Sequence, residues 1–259
     1  MSDYNPNTYG QTYGRTSAPS MAIDQGLRSY MLRVYNYMSI GLAITGFAAI
    51  GAFMLAVTND PASAVATARG MQLTQFGYLL FASPLKWVVL LAPLAMVFLL
   101  SARLQSMSAT GGQIAFYVFA GLMGLSLSSI FLVYTGASIG RVFFITAAAF
   151  GALSLYGYTT KRALTGMGSF LIMGLFGIVI ASLVNLFIGS TMVQFVVSVL
   201  GVLIFSGLTA YDTQRIKEMY YEMDDDGTMS RKAILGALSL YLDFINLFTS
   251  LLSLFGNRN

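Results

Sequence analysis

The chain contains no cysteine and no histidine among its 259 residues. Without cysteine there are no disulfide bonds and no thiol chemistry. Without histidine, the Ser-His and Cys-His pairs of covalent catalysis and all histidine-ligated zinc sites are also excluded. Several common classes of enzyme site are therefore ruled out before any motif is considered.

Charged residues are scarce as well. They make up 9% of the chain, whereas 56% of the residues are hydrophobic. A typical soluble domain carries about 25% charged residues. The net charge of +4 is spread along the chain and forms no basic cluster of the kind that binds nucleic acid. The composition predicts an integral membrane protein whose main partner is the lipid bilayer and which does not bind nucleic acid.

Seven apolar runs are long enough to span a membrane, so we predict an all-α bundle of seven transmembrane helices. The predicted spans are residues 34–57, 85–102, 113–134, 139–158, 168–188, 192–213 and 233–255. The longest connection, residues 58–84, is partly apolar and predicts either an interfacial helix or an extension of the second span. In the third span, Ala120, Gly124 and Ser128 recur every four residues, which favours close packing against a neighbouring helix.

The first 27 residues are polar and lack the basic segment and apolar core of a signal peptide. They predict a disordered cytoplasmic tail, followed by a membrane domain over residues 28–256. With the N-terminus inside, ten of the fourteen lysines and arginines lie on the inner side. The four on the outer side are Arg69, Lys86, Arg141 and Arg258. This bias predicts a cytoplasmic N-terminus.

An aspartate interrupts the last apolar run. Asp243 lies in the segment ALSLYLDFINLF, residues 237–248, and a charged residue at the centre of a membrane costs about 2.5–3.5 kcal/mol on insertion scales. Steps of three or four residues place it on a small and polar helical face that comprises Gly236, Ser239, Asp243, Asn246 and Ser250. We expect this face to point into the bundle or towards water, and Asp243 to be functional.

A second aspartate, Asp212, lies near the end of the preceding run, in GLTAYDTQRIK. Asp212 precedes Gly227 by 15 residues and Asp243 follows it by 16. If Gly227 is the centre of the turn and the sixth helix continues to about Tyr220, the two carboxyl groups lie at the same depth. The spacing therefore predicts that Asp212 and Asp243 form a pair.

Two close carboxyl groups in a medium of low dielectric constant do not both ionise readily, so the pair can share a proton. The pair could also bind a cation, and calcium prefers oxygen ligands. Asn246, Ser239 and Thr209 are candidate supporting polar groups. Arg103, at the end of the second span, is the preferred counter-ion, with Arg215 as its competitor. The prediction is a pH-sensing site on an ion pathway, with calcium near Asp212 and Asp243 and no other cofactor.

The segment YDTQRI (residues 211–216) together with ALSLYLDFINLF resembles the transmembrane Bax inhibitor motif family, in particular its bacterial YccA-type branch. The resemblance covers about residues 28–256 and implies a central C-terminal helix surrounded by six others. It also implies a pH-sensitive latch formed by Asp212 and Asp243, with Arg103 as the family's second-helix arginine.

The function implied by this resemblance is a passive, pH-dependent leak of cations, with calcium as the expected ion, in the inner (plasma) membrane of a bacterium. Some bacterial relatives are associated with a membrane protease, which they bind or modulate. The alternative is therefore a membrane protein that acts by binding a protease or another partner, without transport. The polar tail and the loop of residues 222–230 are the expected contact elements in that case.

An intramembrane aspartyl protease would also use two aspartates. The pair Tyr211-Asp212 fits the first motif of such enzymes, but the second should read GxGD and here reads LYLD. The glycines that admit a substrate backbone are absent, so we predict no enzymatic activity. The acidic loop begins like an EF-hand but has Ala233 where the bidentate glutamate is needed, so it is not predicted to be a calcium site of that type.

Overall fold

A computed structural model describes the backbone of residues 18–259 and the side chains from residue 25 onward. Within this range seven helices are long and apolar enough to cross a membrane. They are α1 (Ala18–Ala56), α2 (Leu85–Arg103), α3 (Ala109–Leu127), α4 (Gly136–Thr159), α5 (Thr165–Ile188), α6 (Thr191–Glu218) and α7 (Asp226–Phe255). The prediction of an all-α membrane bundle with seven spans is confirmed.

The predicted tail lies mostly outside the described residues, since residues 1–17 are not part of the described structure. Helix α1 begins at Ala18, so the last ten residues of that predicted tail belong to the first helix. Proline is tolerated in the first turn of a helix, and Pro19 lies there. The polar residues at the start of α1 have no apolar periodicity. The hydropathy pattern therefore predicted the end of the tail, and the start of the membrane domain, too far along the chain.

Capping residues set most of the other boundaries. The side chains of Ser108, Thr135, Ser190 and Asp225 each accept a hydrogen bond from a backbone N–H in the first turn of α3, α4, α6 and α7. These bonds satisfy donors that a helix start leaves free. At the other end, Gly189 terminates α5 in the left-handed conformation, with φ 67°. The helices therefore extend a few residues beyond the apolar runs that predicted them.

The connection between α1 and α2 folds into a small antiparallel sheet. Its strands are β1 (Val57–Thr58), β2 (Ala66–Ala68) and β3 (Met71–Leu73), with β3 in the middle. Val57 and Ala66 both pair with Leu73, which is fully buried. Thr74 donates to the carbonyl of Leu55 (2.8 Å), which fixes the sheet to the end of α1. A short helical segment (Gln75–Gly77) and a π-helical turn (Tyr78–Ala82) then lead to α2.

Helix α7 forms the centre of the bundle. In its most apolar stretch 67% of the residues are buried, compared with 11–28% in the other six helices. Tyr241 is fully buried and its hydroxyl bonds Thr45 of α1 at 2.6 Å. Phe244 packs edge-on against Phe143 and Phe150 of α4. The central position that was expected for the C-terminal helix is confirmed.

Helices α1 and α3 pack closely through the small residues of the third span. Thr45 donates to the carbonyl oxygen of Ala120 at 2.9 Å. A Cβ atom on Gly124 would lie 2.6 Å from the carbonyl oxygen of Thr45, so only glycine fits there. The close contact predicted from Ala120 and Gly124 is confirmed.

We predict that Gly124→Leu destabilises the bundle by about 1–3 kcal/mol, because the added side chain must push α1 away from α3. The thermal unfolding midpoint in detergent micelles measures this loss. Gly121→Leu is the matched control, since the same helix has nothing within 4 Å of a Cβ at Gly121. Equal midpoints for the two variants would contradict the close packing.

Candidate functional site

Asp243 is buried inside the bundle. Its residue is only 5% exposed, although it lies in the middle of the central helix α7. Its Oδ2 atom receives no hydrogen bond from any N–H or hydroxyl group of the described residues. A buried carboxyl group without donors is costly, so its remaining neighbours decide its state.

The neighbour is Asp212 of α6, which is partly buried. The two carboxyl groups lie close enough to form a hydrogen bond with each other when one of them is protonated. A carboxylate only accepts hydrogen bonds, so one of the two groups must carry a proton to donate. The structure therefore brings Asp212 and Asp243 together, and the proton shared between them stays a prediction.

The contact follows from how α6 and α7 pack. The two helices are antiparallel, and small residues bring them together: Gly236 lies against Ile216, and Gly201 lies against Ser250. Both of these pairs are centred on about Asp226 in the sequence. In that register Asp212 and Asp243 are offset by about one turn. Helical side chains tilt towards the N-terminus of their own helix, so on antiparallel helices the two carboxyl groups lean towards each other.

Gly227 is not the centre of the turn, contrary to the sequence prediction. Helix α6 ends at Glu218 and α7 begins at Asp226, so Gly227 lies in the first turn of α7. Residues 219–225 connect the two helices and lie beside the first turns of α7. Lys232 of α7 donates to the carbonyl of Met219 (3.0 Å) and forms an ion pair with Asp224. The packing of α6 on α7 is centred on about residue 226, so Asp212 and Asp243 are about one turn apart in register and not at the same depth.

Asp225 determines where α7 begins. Its carboxylate accepts hydrogen bonds from the hydroxyl (2.6 Å) and the backbone N–H (3.0 Å) of Thr228. These bonds favour the charged form and hold the pKa of Asp225 below its ordinary value. The carboxylates of the acidic loop thus serve as a helix cap and an ion-pair partner. Among the described residues no group of three or more acidic side chains is arranged to hold a metal ion.

The structure does not bring Arg103 to the aspartate pair. Arg103 lies in the last turn of α2 with an exposed side chain, and within residues 25–259 it forms no ion pair with Asp212 or Asp243. The positive charge that acts on Asp212 is Arg215, three residues further along α6. The counter-ion role of Arg103 stays a prediction, and it requires α2 to lie closer to the aspartate pair than it does here.

The supporting polar residues lie beside the pair but bond to their own helices. Thr209 is fully buried and donates to the carbonyl of Phe205 at 2.7 Å. Asn246 donates to the carbonyl of Leu242 at 2.8 Å. Ser239 is half-buried on the same face of α7. Their metal-binding or gating roles stay predictions.

A chain of hydroxyl groups beside Asp212 was not predicted. Tyr35 of α1 bonds Ser154 of α4 at 2.6 Å, and Ser154 bonds Thr213 of α6 at 3.0 Å. Thr213 in turn donates to the carbonyl of Thr209 at 2.7 Å. The chain links three helices next to the aspartate pair. The only signal in the sequence is the position of Thr213 directly after Asp212.

A cavity of about 480 Å³ with mostly apolar walls lies between α5, α6 and α7, and Asn246, one turn from Asp243, is among its lining residues. Ser182, Ser198 and Ser250 line it, and each donates its hydroxyl proton to a carbonyl of its own helix, at 2.7, 2.8 and 2.7 Å. A hydroxyl that donates to the main chain presents its oxygen lone pairs to the remaining space. These hydroxyl oxygens are polar positions in a lining that is otherwise mostly apolar.

Comparisons with known proteins give one family. A sequence profile described as "Inhibitor of apoptosis-promoting Bax1" (Bax1-I) matches residues 27–259. The inner membrane protein YbhL of Escherichia coli K12 is 46% identical over 236 residues, which cover 90% of this chain and 93% of YbhL. The protein RP147 of Rickettsia prowazekii is 44% identical over 243 residues, covering 94% and 95%. A Caulobacter vibrioides protein is 43% identical over 256 residues, covering 97% and 99%.

We predict that Asp225→Ala frays the first turn of α7 and speeds hydrogen exchange of the Thr228 amide at neutral pH. The lowered pKa of Asp225 means that its contribution is complete above the ordinary value of 3.8 and is lost as the pH falls through the lower folded value. Glu222→Ala, an exposed residue of the same turn, is the control. Unchanged exchange of the Thr228 amide in Asp225→Ala at pH 7 would contradict the capping role.

Proposed function

The chain belongs to the Bax inhibitor family of membrane proteins, and on that premise we propose that it is a pH-sensitive cation leak channel with calcium as the expected ion. The observation that carries this function is the close approach of the carboxyl group of Asp212 to the buried carboxyl group of Asp243. The pair acts as the gate, because its charge depends on a single shared proton.

Electrostatics gives the pair two distinct states. Two ionised carboxylates about 4 Å apart repel each other by about 4 kcal/mol at an effective dielectric constant of 20. A shared proton removes this repulsion and holds α6 against α7. Loss of the proton requires either separation of the two groups or a positive charge beside them. In the second state Arg103 moves in with α2 and neutralises the pair, or a permeating cation does so.

The cavity between α5, α6 and α7 supports a path for cations to the pair. Asn246, one helical turn from Asp243, is among its lining residues. Hydroxyl and amide oxygens are hard ligands of the kind that calcium prefers. A cation that reaches Asp243 exchanges part of its hydration shell for these hydroxyl and amide oxygens. Protons and calcium are the regulatory and permeant ions, and the account includes no catalytic step.

The membrane and the orientation complete the proposal. The relative from Escherichia coli K12 carries the name of an inner membrane protein, and we assign this chain to the same membrane. Ten of its fourteen lysines and arginines lie on the side of the N-terminus, which supports a cytoplasmic N-terminus. On this assignment the Lys232–Asp224 ion pair and the acidic turn face the cytoplasm.

A second candidate function is binding to another membrane protein, such as a membrane protease, without transport. One observation favours it: the turn before α7 exposes two large apolar side chains, Tyr221 (60%) and Met223 (79%). Exposed apolar residues on a turn at the membrane surface are typical contact points. This function would need neither the shared proton nor the cavity between α5, α6 and α7.

We predict that calcium flux into proteoliposomes depends on pH between about pH 5 and 9 in the wild type, because the pair exchanges its proton within an accessible range. Asp212→Asn and Asp243→Asn should each abolish this dependence, since an amide cannot ionise. Arg103→Ala should shift the pH profile without abolishing it. Asp60→Asn, a change in the exposed connection between α1 and α2, is the control and should leave the profile unchanged.

Two outcomes would contradict the leak function. Unchanged pH dependence in both asparagine variants would exclude the pair as the gate. Absence of calcium flux at every pH would exclude conduction and favour the binding function. Pull-down of partners with wild type and with Tyr221→Ser/Met223→Ser would then test that function.

A further inference from the structure

A long apolar groove runs between α1 and α4. Its volume is about 960 Å³. The floor is formed by buried side chains of three helices, including Met38, Phe150 and Phe244. Exposed apolar side chains such as Leu32, Phe47 and Leu155 form the rims. The groove therefore opens sideways, in the direction of the lipid.

The length of the groove matches a lipid chain. On α4 its lining extends from Phe143 to Tyr158, which is about 22 Å at 1.5 Å per residue. One leaflet of a bilayer has a hydrocarbon thickness of about 15 Å, half of the total of about 30 Å. An acyl chain of one leaflet can therefore lie along the groove within its length.

The polar groups of the floor already have partners within the protein. The hydroxyls of Tyr35 and Ser154 bond each other, and Ser154 also bonds Thr213. An occupant at this depth has no need to supply hydrogen-bonding groups to these residues. Hydrocarbon is the occupant that costs least against such a surface.

One end of the groove is positively charged. Arg28 lines it there, and Tyr158 closes the same end on α4. The ammonium group of Lys217 lies over the Tyr158 ring, 5.2 Å from its centre, and donates to the Tyr158 carbonyl at 2.9 Å. Arg and Lys side chains at the end of an apolar groove complement a phosphate group at the membrane surface.

We propose that the groove between α1 and α4 is a binding site for an anionic phospholipid. One acyl chain lies along the floor beside Met38, Phe150 and Phe244, and the phosphate contacts Arg28 and Lys217. Bound lipid would also cover Tyr35 and Ser154, whose hydroxyl chain reaches Thr213 next to Asp212. The site does not require ion conduction, so its test is separate from that of the proposed leak.

Two glycines allow the groove to be filled without disturbing the fold. A Cβ atom on Gly46 or Gly151, which both line the groove, would meet no atom of the described residues within 4 Å. Leucine also favours a helix more than glycine does, so Gly46→Leu/Gly151→Leu should fold. Gly140→Leu is the control. Gly140 lies on α4, as Gly151 does, and has the same open surroundings, but it does not line the groove.

The experiment measures lipid retained by purified full-length protein, by native mass spectrometry and by thermal shift on adding phosphatidylglycerol or phosphatidylcholine. The wild type and Gly140→Leu should retain phosphatidylglycerol and unfold a few degrees higher in its presence. Gly46→Leu/Gly151→Leu should lose at least tenfold in apparent affinity for both lipids. Arg28→Gln should lose the preference for phosphatidylglycerol while it still binds phosphatidylcholine.

Three results would overturn the lipid site. Equal retention of phosphatidylglycerol by the wild type and Gly46→Leu/Gly151→Leu would place the lipid elsewhere. Equal binding of the two lipids by the wild type would remove the role of Arg28. A photo-crosslinker at position 151 that captures protein, either residues 1–17 of this chain or another polypeptide, would show that a peptide segment occupies the groove.

Discussion

A carboxyl group surrounded by hydrocarbon needs a proton, a counter-charge or another carboxyl group with which to share a proton. The structure places the carboxyl group of Asp212 beside that of Asp243, and this close approach is the constraint that the packing of α6 on α7 must satisfy. Two ionised carboxylates about 4 Å apart would repel each other by several kcal/mol. The total stability of a protein is only about 5–15 kcal/mol, so the state of this pair can alter the packing of the bundle.

The rest of the bundle is built to hold α7 in position. Its buried faces contact α1 through Tyr241 and Thr45, α4 through Phe244, and α6 through Gly236. Most polar side chains near the pair bond to backbone carbonyls of their own helix, so they add few links between helices. The hydroxyl chain from Tyr35 to Thr213 is an exception, because it crosses three helices beside Asp212. This chain thus connects α6 to α1 and α4 at the residue that follows Asp212.

Much of the fold could be predicted from the sequence because lipid imposes a simple rule. A spanning helix must be long and apolar, so seven runs give seven helices, and an aspartate within a run stands out. The pairing of Asp212 with Asp243 could be predicted because two antiparallel helices fix relative depth. The position of the turn could not be predicted. Asp225 caps α7 two residues before Gly227, and the segment before it, residues 219–225, lies beside the first turns of α7. The three short strands gave no periodicity long enough to detect.

Features that depend on side-chain position across several helices were beyond the sequence pattern. The hydroxyls of Tyr35 and Ser154 carry no signal alone, and they meet only because α1 and α4 pack against α6. Arg103 lies in the expected helix, but the position of α2 decides whether it reaches the pair, and here its side chain is exposed. The ionisable groups could therefore be identified from the sequence, whereas the side chains that surround them could be identified only from the structure.

The most direct measurement of the central claim is the infrared spectrum of the carboxyl groups in the bilayer, recorded as the pH is changed. The account predicts a band of a buried protonated carboxyl group in the wild type at neutral pH. That band should disappear at high pH, and it should be altered or lost in both Asp212→Asn and Asp243→Asn. A wild-type spectrum without this band, or a band that both variants leave unchanged, would contradict a proton shared between Asp212 and Asp243.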